Sequence, residues 1–184
     1  MNENIKHQTF ADVNLSDKFF DTLKYDYPEF EKWFNAHLGR DAYVLYNAIG
    51  DIQGFLHLKN EYNVVDDVRP VIKADRILKV ATFKVDANGT KLGEQFIKII
   101  IEYAISDTID LCYVTIFPKH EALIKLVQTF GFEEYGEKGD VLKPEKVFVK
   151  NMKKVTGDVN KDYPLIRRRR TNKYLLSIYP KYHS

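Results

Sequence analysis

The sequence predicts an α/β (α+β) fold in which helices pack on a mixed β-sheet. Strand-like runs at residues 42–46, 52–58 and 77–86 follow one another with only short or irregular connections, which favours a meander. From residue 77 to residue 150, strand, helix, strand, helix and strand then alternate, which favours a sheet with helices packed against it. The 184 residues are enough for one domain with a substantial core.

The N-terminal elements begin with two short helices. Ser16-Asp17 offers an N-cap to a first helix whose apolar residues lie at helical spacing. Pro28 is tolerated in the first turn of a second helix, whose apolar stripe reaches Leu38 and which Gly39 ends. Strands at 42–46 and 52–58 then form a hairpin, and residues 61–75 are expected to be irregular.

The C-terminal elements begin with the strand at 77–86 and a helix whose apolar residues recur over 92–104. Residues 111–117 are apolar throughout, which predicts a central strand that Pro118 stops. A helix at 121–129 is closed by Gly131, and two last antiparallel strands at 132–137 and 147–150 flank the turn at 138–140.

Composition excludes several classes of protein. No apolar stretch approaches the roughly 20 residues needed to span a bilayer, and the N-terminus lacks the apolar region of a secretory signal. The single cysteine, Cys112, excludes an intramolecular disulfide and is expected to be a packed, inert thiol. We therefore expect a cytoplasmic protein that uses neither a membrane nor a metal.

Charge divides the chain into two parts. Residues 152–184 contain nine Lys or Arg and two Asp, a formal charge of +7, so the total of +2 leaves −5 for residues 1–151. This predicts a domain over 1–151 and a basic linker or tail over 152–184, which either docks on the domain or begins a second module. The run Arg167 to Arg170 beside tyrosines suits nucleic-acid phosphates and bases, and equally suits a solvated arginine loop.

A glycine-bearing turn joins the strand at 77–86 to the next helix. The turn reads Asn88-Gly89-Thr90-Lys91-Leu92-Gly93. Unpaired amides at a helix N-terminus, together with the helix dipole, attract anions, and Gly89 permits a tight turn. The pattern predicts a pyrophosphate site, although an ordinary strand–turn–helix connection would read the same way.

In its context this turn resembles that of the GNAT acetyltransferase family. The family's turn begins with Gln or Arg and has a small residue at two later positions. In this chain Asn88 stands at the first position, Lys91 at the second and Gly93 at the third. Asn88 and Lys91 depart from the pattern, and Gly93 fits it. Ala122 and the pair Gly131-Phe132 match the family's fourth helix and following strand. The resemblance covers residues 5–151 and extends to bacterial domains with a further C-terminal module.

The resemblance implies a mostly antiparallel sheet in which two parallel strands, at 77–86 and 111–117, splay apart to admit coenzyme A. The pantetheine arm would pair with a strand edge and the pyrophosphate would lie on the turn. It implies acetyl-CoA as the cofactor and the following residues as its contacts: Phe83, Lys84, Val85, Asn88, Gly89, Thr90, Lys91, Leu92, Gly93, Glu94 and His120. His120 equally suits a helix N-cap or a proton donor.

The resemblance also implies direct attack of an amine on the thioester. The family's usual acid is a tyrosine four residues before the Gly-Phe pair, where this chain has Val127. Substitutes are Tyr135, His120 and the otherwise packed Tyr113. The candidate bases are His57, which also suits a structural histidine, Lys84, Asp86, and the pair Asp66-Asp67, which also suits a solvated loop.

Three functions follow as hypotheses. The first is an acetyl-CoA-dependent N-acetyltransferase that acts on a primary amine of a small molecule or peptide. The second, favoured by Val127, is a regulatory module that binds the coenzyme without efficient chemistry. The third is an RNA-associated acetyltransferase that uses Arg167 to Arg170. Exposed strand edges are also compatible with a homodimer.

Overall fold

The computed structural model describes residues 4–86, 90–159 and 161–162. The strands are β1 (Asn4–Thr9), β2 (Asp41–Tyr46), β3 (Ile52–Val65), β4 (Val68–Arg69), β5 (Ile72–Val85), β6 (Leu111–Ile116), β7 (Glu133–Lys138) and β8 (Glu145–Asn151). The α-helices are α1 (Asp21–Asp26), α2 (Phe30–Asn35), α3 (Thr90–Ser106) and α4 (Glu121–Thr129), and single 3₁₀ turns occupy Phe10–Asp12 and Lys18–Phe20.

The strands form a mixed sheet in the order β1-β2-β3-β5-β6-β8-β7-β4. It is mostly antiparallel with one parallel pair and is flanked by helices, which confirms the fold class expected from the sequence. Strand β6 has a hydrogen-bonded neighbour on each side, so the prediction of a central strand at this position is confirmed. Strands β3 and β5 are each 14 residues long.

The chain divides into two compact units, and the long strands β3 and β5 contribute to both. The first unit takes in the described residues up to 59 and those from 80 to 96. Its core is aromatic: the Phe10 ring stacks on Phe34 at 4.5 Å between centroids and meets Phe55 at 5.6 Å. The side chain of Asp17 accepts a hydrogen bond from the Phe19 amide, which confirms the predicted N-cap of the first helical segment.

The second unit takes in the described residues from 60 to 79 and from 97 to 162. Its core cluster is drawn from several of its strands: Val65, Val68, Ile72, Ile77, Tyr113 and Val147. Strand β6 pairs antiparallel with β8 over six residues, from Leu111 opposite Asn151 to Ile116 opposite Lys146. Helix α4 has the bounds predicted for it, and Gly131 follows it with a φ of +83°, a left-handed conformation that suits glycine.

Three predictions about the elements were wrong. Strand β1 was not predicted, because its polar sequence gives no alternating pattern and its order comes from pairing with β2. Residues 61–75 are largely β-structure rather than irregular, since β3 continues to Val65 and β5 begins at Ile72. Leu38 lies beyond α2 and is 44% exposed; the helix ends earlier, where the His37 ring bonds the Trp33 carbonyl at 2.6 Å.

The first residues after β8 belong to the second unit and are hydrogen-bonded within it. The buried Lys150 ammonium donates to the carbonyl oxygens of Phe130 at 2.9 Å and of Lys161 at 2.5 Å. The Asp162 carboxylate accepts from the Thr156 amide at 2.8 Å, the Thr156 hydroxyl at 2.9 Å and the Gly157 amide at 2.5 Å. Burial alone would raise the pKa of Asp162, but these hydrogen bonds lower it. The described part of the basic segment is therefore hydrogen-bonded structure.

Within residues 4–86, 90–159 and 161–162, no helix combines the length and the apolar character that crossing a bilayer requires. The same residues bring no three His, Cys, Asp or Glu side chains together in a group that would hold a metal ion.

Candidate functional site

The end of β5 and the start of α3 lie in the first unit, where the sequence predicts a coenzyme site. Strand β5 ends at Val85, Asp86 follows it, and α3 begins at Thr90. Two predicted contacts, Asn88 and Gly89, lie outside the described residues. The geometry of the site is therefore defined by the strand end on one side of the turn and by the first helical turn on the other.

The backbone at the end of β5 is directed to both edges of the strand. The Asp86 amide donates to the Gln53 carbonyl of β3 at 2.9 Å. Because peptide groups alternate in direction along a strand, the amide and carbonyl groups of Val85 and Phe83 point toward the edge away from β3. That is the orientation an extended ligand needs when it adds to a strand edge as a further β-strand.

The first turn of α3 forms the other side of the site. Lys91 is exposed, Leu92 and Gly93 are buried, and Glu94 is half-buried. The first amides of a helix have no intrahelical acceptor and lie at the positive end of its dipole. Leu92 fixes the turn by its burial, while the exposed Lys91 adds a cation to it. The Phe83 ring lies 6.0 Å from the Phe96 ring, so α3 packs on the strand end that it follows.

The Lys84 side chain is held by the N-terminal part of the same unit. Its ammonium donates to the Phe19 carbonyl, lies 4.2 Å from the centroid of the Phe19 ring and is 3.9 Å from Asp86 Oδ1. Burial lowers the pKa of Lys84, and nearby carboxylates, Asp86 first among them, oppose that shift. The Lys84 side chain is thus anchored to the 3₁₀ turn Lys18–Phe20, and its contact with the coenzyme stays a prediction.

His57 lies in the aromatic core of the first unit. Its Nδ1 is 2.8 Å from the Asp41 carbonyl oxygen, so this nitrogen carries the proton and donates it. Its Nε2 is buried without a hydrogen-bond partner among the described residues, and the ring lies 4.9 Å from Phe10 and 6.0 Å from Trp33. Burial lowers the pKa of His57. These contacts are those of a packed histidine; its role as a base stays a prediction.

The other predicted catalytic residues lie in the second unit. His120 is exposed at the N-cap position of α4, where its side chain makes no capping hydrogen bond. The Tyr135 hydroxyl on β7 donates to the Val71 carbonyl at 3.0 Å. Val127 is buried, and its carbonyl accepts the Phe132 amide at 3.1 Å. The run Arg167 to Arg170 lies outside the described residues.

Sequence reasoning missed a charged cluster around Tyr113 in the second unit. Tyr113 is fully buried, and its hydroxyl donates to the Glu61 carboxylate at 2.7 Å. The Lys79 ammonium lies 5.7 Å from the centroid of the Tyr113 ring, and Lys138 pairs with Asp67. Burial, and then the hydrogen bond to Glu61, raise the pKa of Tyr113. The available signal was a lysine in the middle of the apolar run Ile77-Leu78-Lys79-Val80.

Comparison with solved structures identifies the fold. A GNAT family acetyltransferase from Elizabethkingia anophelis with acetyl-CoA bound superposes with a TM-score of 0.59 at 13% identity, over 82% of this chain and 98% of that chain. An IAA acetyltransferase from Bacillus cereus gives 0.57 at 13% identity, over 80% and 98%. NAA60 from Arabidopsis thaliana in complex with a bisubstrate analogue gives 0.54 at 14% identity, over 79% and 97%.

The chain therefore has the fold of the GNAT acetyltransferases, as the resemblance of its turn and its last helix implied. No protein-family model and no curated protein sequence matches the chain. At 13–14% identity the likeness establishes the fold, so the activity has to be argued from the chain's own residues.

Proposed function

We propose that this chain is an acetyl-CoA-dependent N-acetyltransferase of the GNAT family that acetylates a primary amine of a small molecule or peptide. The observation that carries the proposal is the succession of the Phe83–Val85 strand edge and the first turn of α3. An edge of directed amides, followed after a short connection by a helix N-terminus, suits a ligand with an amide-bearing arm and a diphosphate. The Elizabethkingia anophelis neighbour, described with acetyl-CoA bound, supports the same cofactor.

The cofactor contacts follow from this placement. The backbone of Phe83 and Val85 would bond the pantetheine amides, and the amides from Gly89 to Gly93 would hold the diphosphate with Lys91 beside them. Lys84 and Glu94 flank these backbone groups, and His120 is proposed as a further contact, as the family resemblance implies. Because the diphosphate carries several negative charges, the exposed Lys91 is the side chain whose charge should matter most for affinity.

The chemistry is direct transfer. The neutral acceptor nitrogen attacks the thioester carbonyl carbon, a C–N bond forms as the carbonyl becomes an oxyanion, and the C–S bond then breaks. A backbone amide near Phe83 would stabilise the oxyanion, a type of contact whose removal slows enzymes by about 10²- to 10³-fold. The leaving thiolate needs a proton that Val127 cannot supply, so Tyr135 or His120 is proposed to provide it. With Nδ1 donating to the Asp41 carbonyl, the lone pair of His57 is on the buried Nε2, so His57 would act as a base only where an acceptor amine or a water reaches Nε2.

Calorimetry and thermal-shift measurements with acetyl-CoA test the binding site. Lys91→Glu should weaken binding by about 5- to 10-fold at low salt, and the difference should shrink as salt is added. The matched charge reversal Lys125→Glu, at an exposed position of α4, should change affinity much less. Absence of heat and of a thermal shift at millimolar coenzyme would contradict the proposal. Equal losses of affinity in Lys91→Glu and Lys125→Glu would mean that the coenzyme does not bind at the turn.

Release of free thiol across a panel of amines and peptides tests the reaction. The buried valine at the position of the family's usual acid supports a second candidate function, a coenzyme-binding module without efficient chemistry. Turnover with any acceptor favours the enzyme. Binding of the coenzyme without thiol release from any member of the panel favours the regulatory module.

A further inference from the structure

Gly54, in the interior of β3, faces an aromatic ring of α3. It is buried, and it pairs with Leu45 of β2 in the strand register. A Cβ at position 54 would lie 2.3 Å from Cε2 and 2.9 Å from Cζ of Phe96. Real Cβ contacts essentially never fall below 3.0 Å, so the Phe96 ring occupies the space that any other residue at position 54 would need. A glycine inside a strand often marks such a close approach.

The Phe96 ring has little freedom to give way. Its side chain is fully buried, and its centroid lies 6.0 Å from that of the Phe83 ring, with 66° between the ring planes. The ring itself is rigid, and a packed core leaves few voids into which it could turn. Because Phe96 meets β3 at Gly54 and β5 at Phe83, its ring sets the distance between α3 and these two strands.

The two strands are joined at the same level. The Asp86 amide donates to the carbonyl of Gln53, the residue before Gly54, at 2.9 Å. A displacement of β3 at this point therefore also displaces the end of β5. On the helix side, α3 begins at Thr90, and Phe96 is six residues further on, about 9 Å along the helix axis. A helix this short is stiff, so a displacement at Phe96 also moves the first amides of α3.

We propose that Gly54 is a positioning residue for coenzyme A: by admitting the Phe96 ring, it sets the distance between the strand edge of β5 and the first turn of α3. This inference rests on the proposed function, in which one ligand has to reach both groups. An added Cβ and Phe96 Cε2 would have to separate by at least the difference between 3.0 and 2.3 Å, 0.7 Å. That exceeds the roughly 0.5 Å range of N–H···O distances in hydrogen bonds, so a ligand bonded to both groups would lose contacts at one of them.

Acetyl-CoA binding to the full chain, measured by calorimetry, tests this assignment. Gly54→Ala should weaken binding by about 10-fold or more, the effect of losing a hydrogen bond to a charged group. Gly39→Ala should leave the affinity unchanged, because no heavy atom lies within 4 Å of its added Cβ. Gly136→Ala controls for a general loss of stability: its Cβ would lie 2.0 Å from the Arg69 carbonyl oxygen in the second unit, and it should lower stability without weakening coenzyme binding.

A compensating variant separates positioning from a mere structural defect. Leucine lacks Cε2 and Cζ, the two atoms of Phe96 that would clash with a Cβ at position 54. The double variant Gly54→Ala/Phe96→Leu should therefore bind acetyl-CoA with about the affinity of Phe96→Leu alone, whereas independent effects would add. This comparison does not need the single variant Gly54→Ala to fold.

Three results overturn the assignment and leave the proposed function standing. They are an unchanged affinity in Gly54→Ala, an equal loss of affinity in Gly136→Ala, and a double variant that either fails to fold or loses as much affinity as the two single variants together. Absence of acetyl-CoA binding by the unaltered chain overturns both the assignment and the proposed function.

Discussion

Replacing Gly136 of β7 by alanine should disrupt the pairing of β4 with β7. A Cβ at this position would lie 2.0 Å from the Arg69 carbonyl oxygen and 2.7 Å from Pro70 Cδ. Real Cβ contacts essentially never fall below 3.0 Å, so the backbone at Arg69 would have to move by at least the difference, 1.0 Å. Only two residue pairs join β4 to β7, Val68 with Lys138 and Arg69 with Glu137, so little resists that displacement.

Overpacking of this kind costs about 1–3 kcal/mol in the free energy of unfolding. With a urea m-value of about 2 kcal/mol per molar, the midpoint of unfolding should fall by about 0.5–1.5 M. Gly39→Ala is the matched control, because no heavy atom lies within 4 Å of its added Cβ; its midpoint should stay the same or rise slightly. Equal midpoints for the two variants would refute the steric reasoning.

Three other predictions concern buried polar groups. Because the pKa of His57 is lowered in the folded chain, the unfolded chain binds the proton more readily. The free energy of unfolding should therefore fall as pH drops below 6.5, by at most about 1.4 kcal/mol per pH unit from this residue. Urea titrations at several pH values should show that His57→Gln makes the free energy of unfolding less dependent on pH. Cys112 is fully buried, and burial raises its pKa to about 12. A thiol reagent at pH 8 should therefore label no cysteine in the native chain and one cysteine per chain in guanidinium. Rapid labelling of the native chain would contradict the burial of Cys112. Lys150→Met leaves the Phe130 and Lys161 carbonyls without their donor and should lower stability by about 1–3 kcal/mol in thermal or urea unfolding, whereas an unchanged midpoint would mean that water replaces the ammonium without loss.

The elements that could be predicted are those whose signals are local. Helix α4 lies between Pro118 and Gly131, so each end of the helix is marked by a residue only a few positions away in the sequence. Strand β1 could not be predicted, since its backbone bonds are made to β2, which lies far from it in the sequence. The second half of β3 was missed for a related reason: its residues are largely exposed, so burial imposes no alternating pattern on them.

The same distinction between local and long-range signals applies to the functional residues. The strand–turn–helix around Phe83 and Lys91 is contiguous in sequence, and its existence could be predicted from glycine positions and apolar periodicity. The charged cluster around Tyr113 in the second unit could not be predicted, because Tyr113 and Glu61 are 52 residues apart in the sequence and meet only in the folded chain. Nothing local to Lys84 indicated that its side chain is anchored to Phe19, 65 residues away.

The hydrogen bonds around Lys150 and Asp162 have a consequence for tracing the ancestry of this chain. They fix a spacing, Lys-x5-Thr-Gly-x4-Asp: the Asp162 carboxylate accepts from the Thr156 hydroxyl and from two loop amides, and the Lys150 ammonium donates to the carbonyl of Lys161, the residue before Asp162. Overall identity is too low to sort distant homologues of this fold, but any descendant that kept the loop would have to keep these four positions together. We therefore expect these residue types to be kept together, or lost together, among proteins that share this loop.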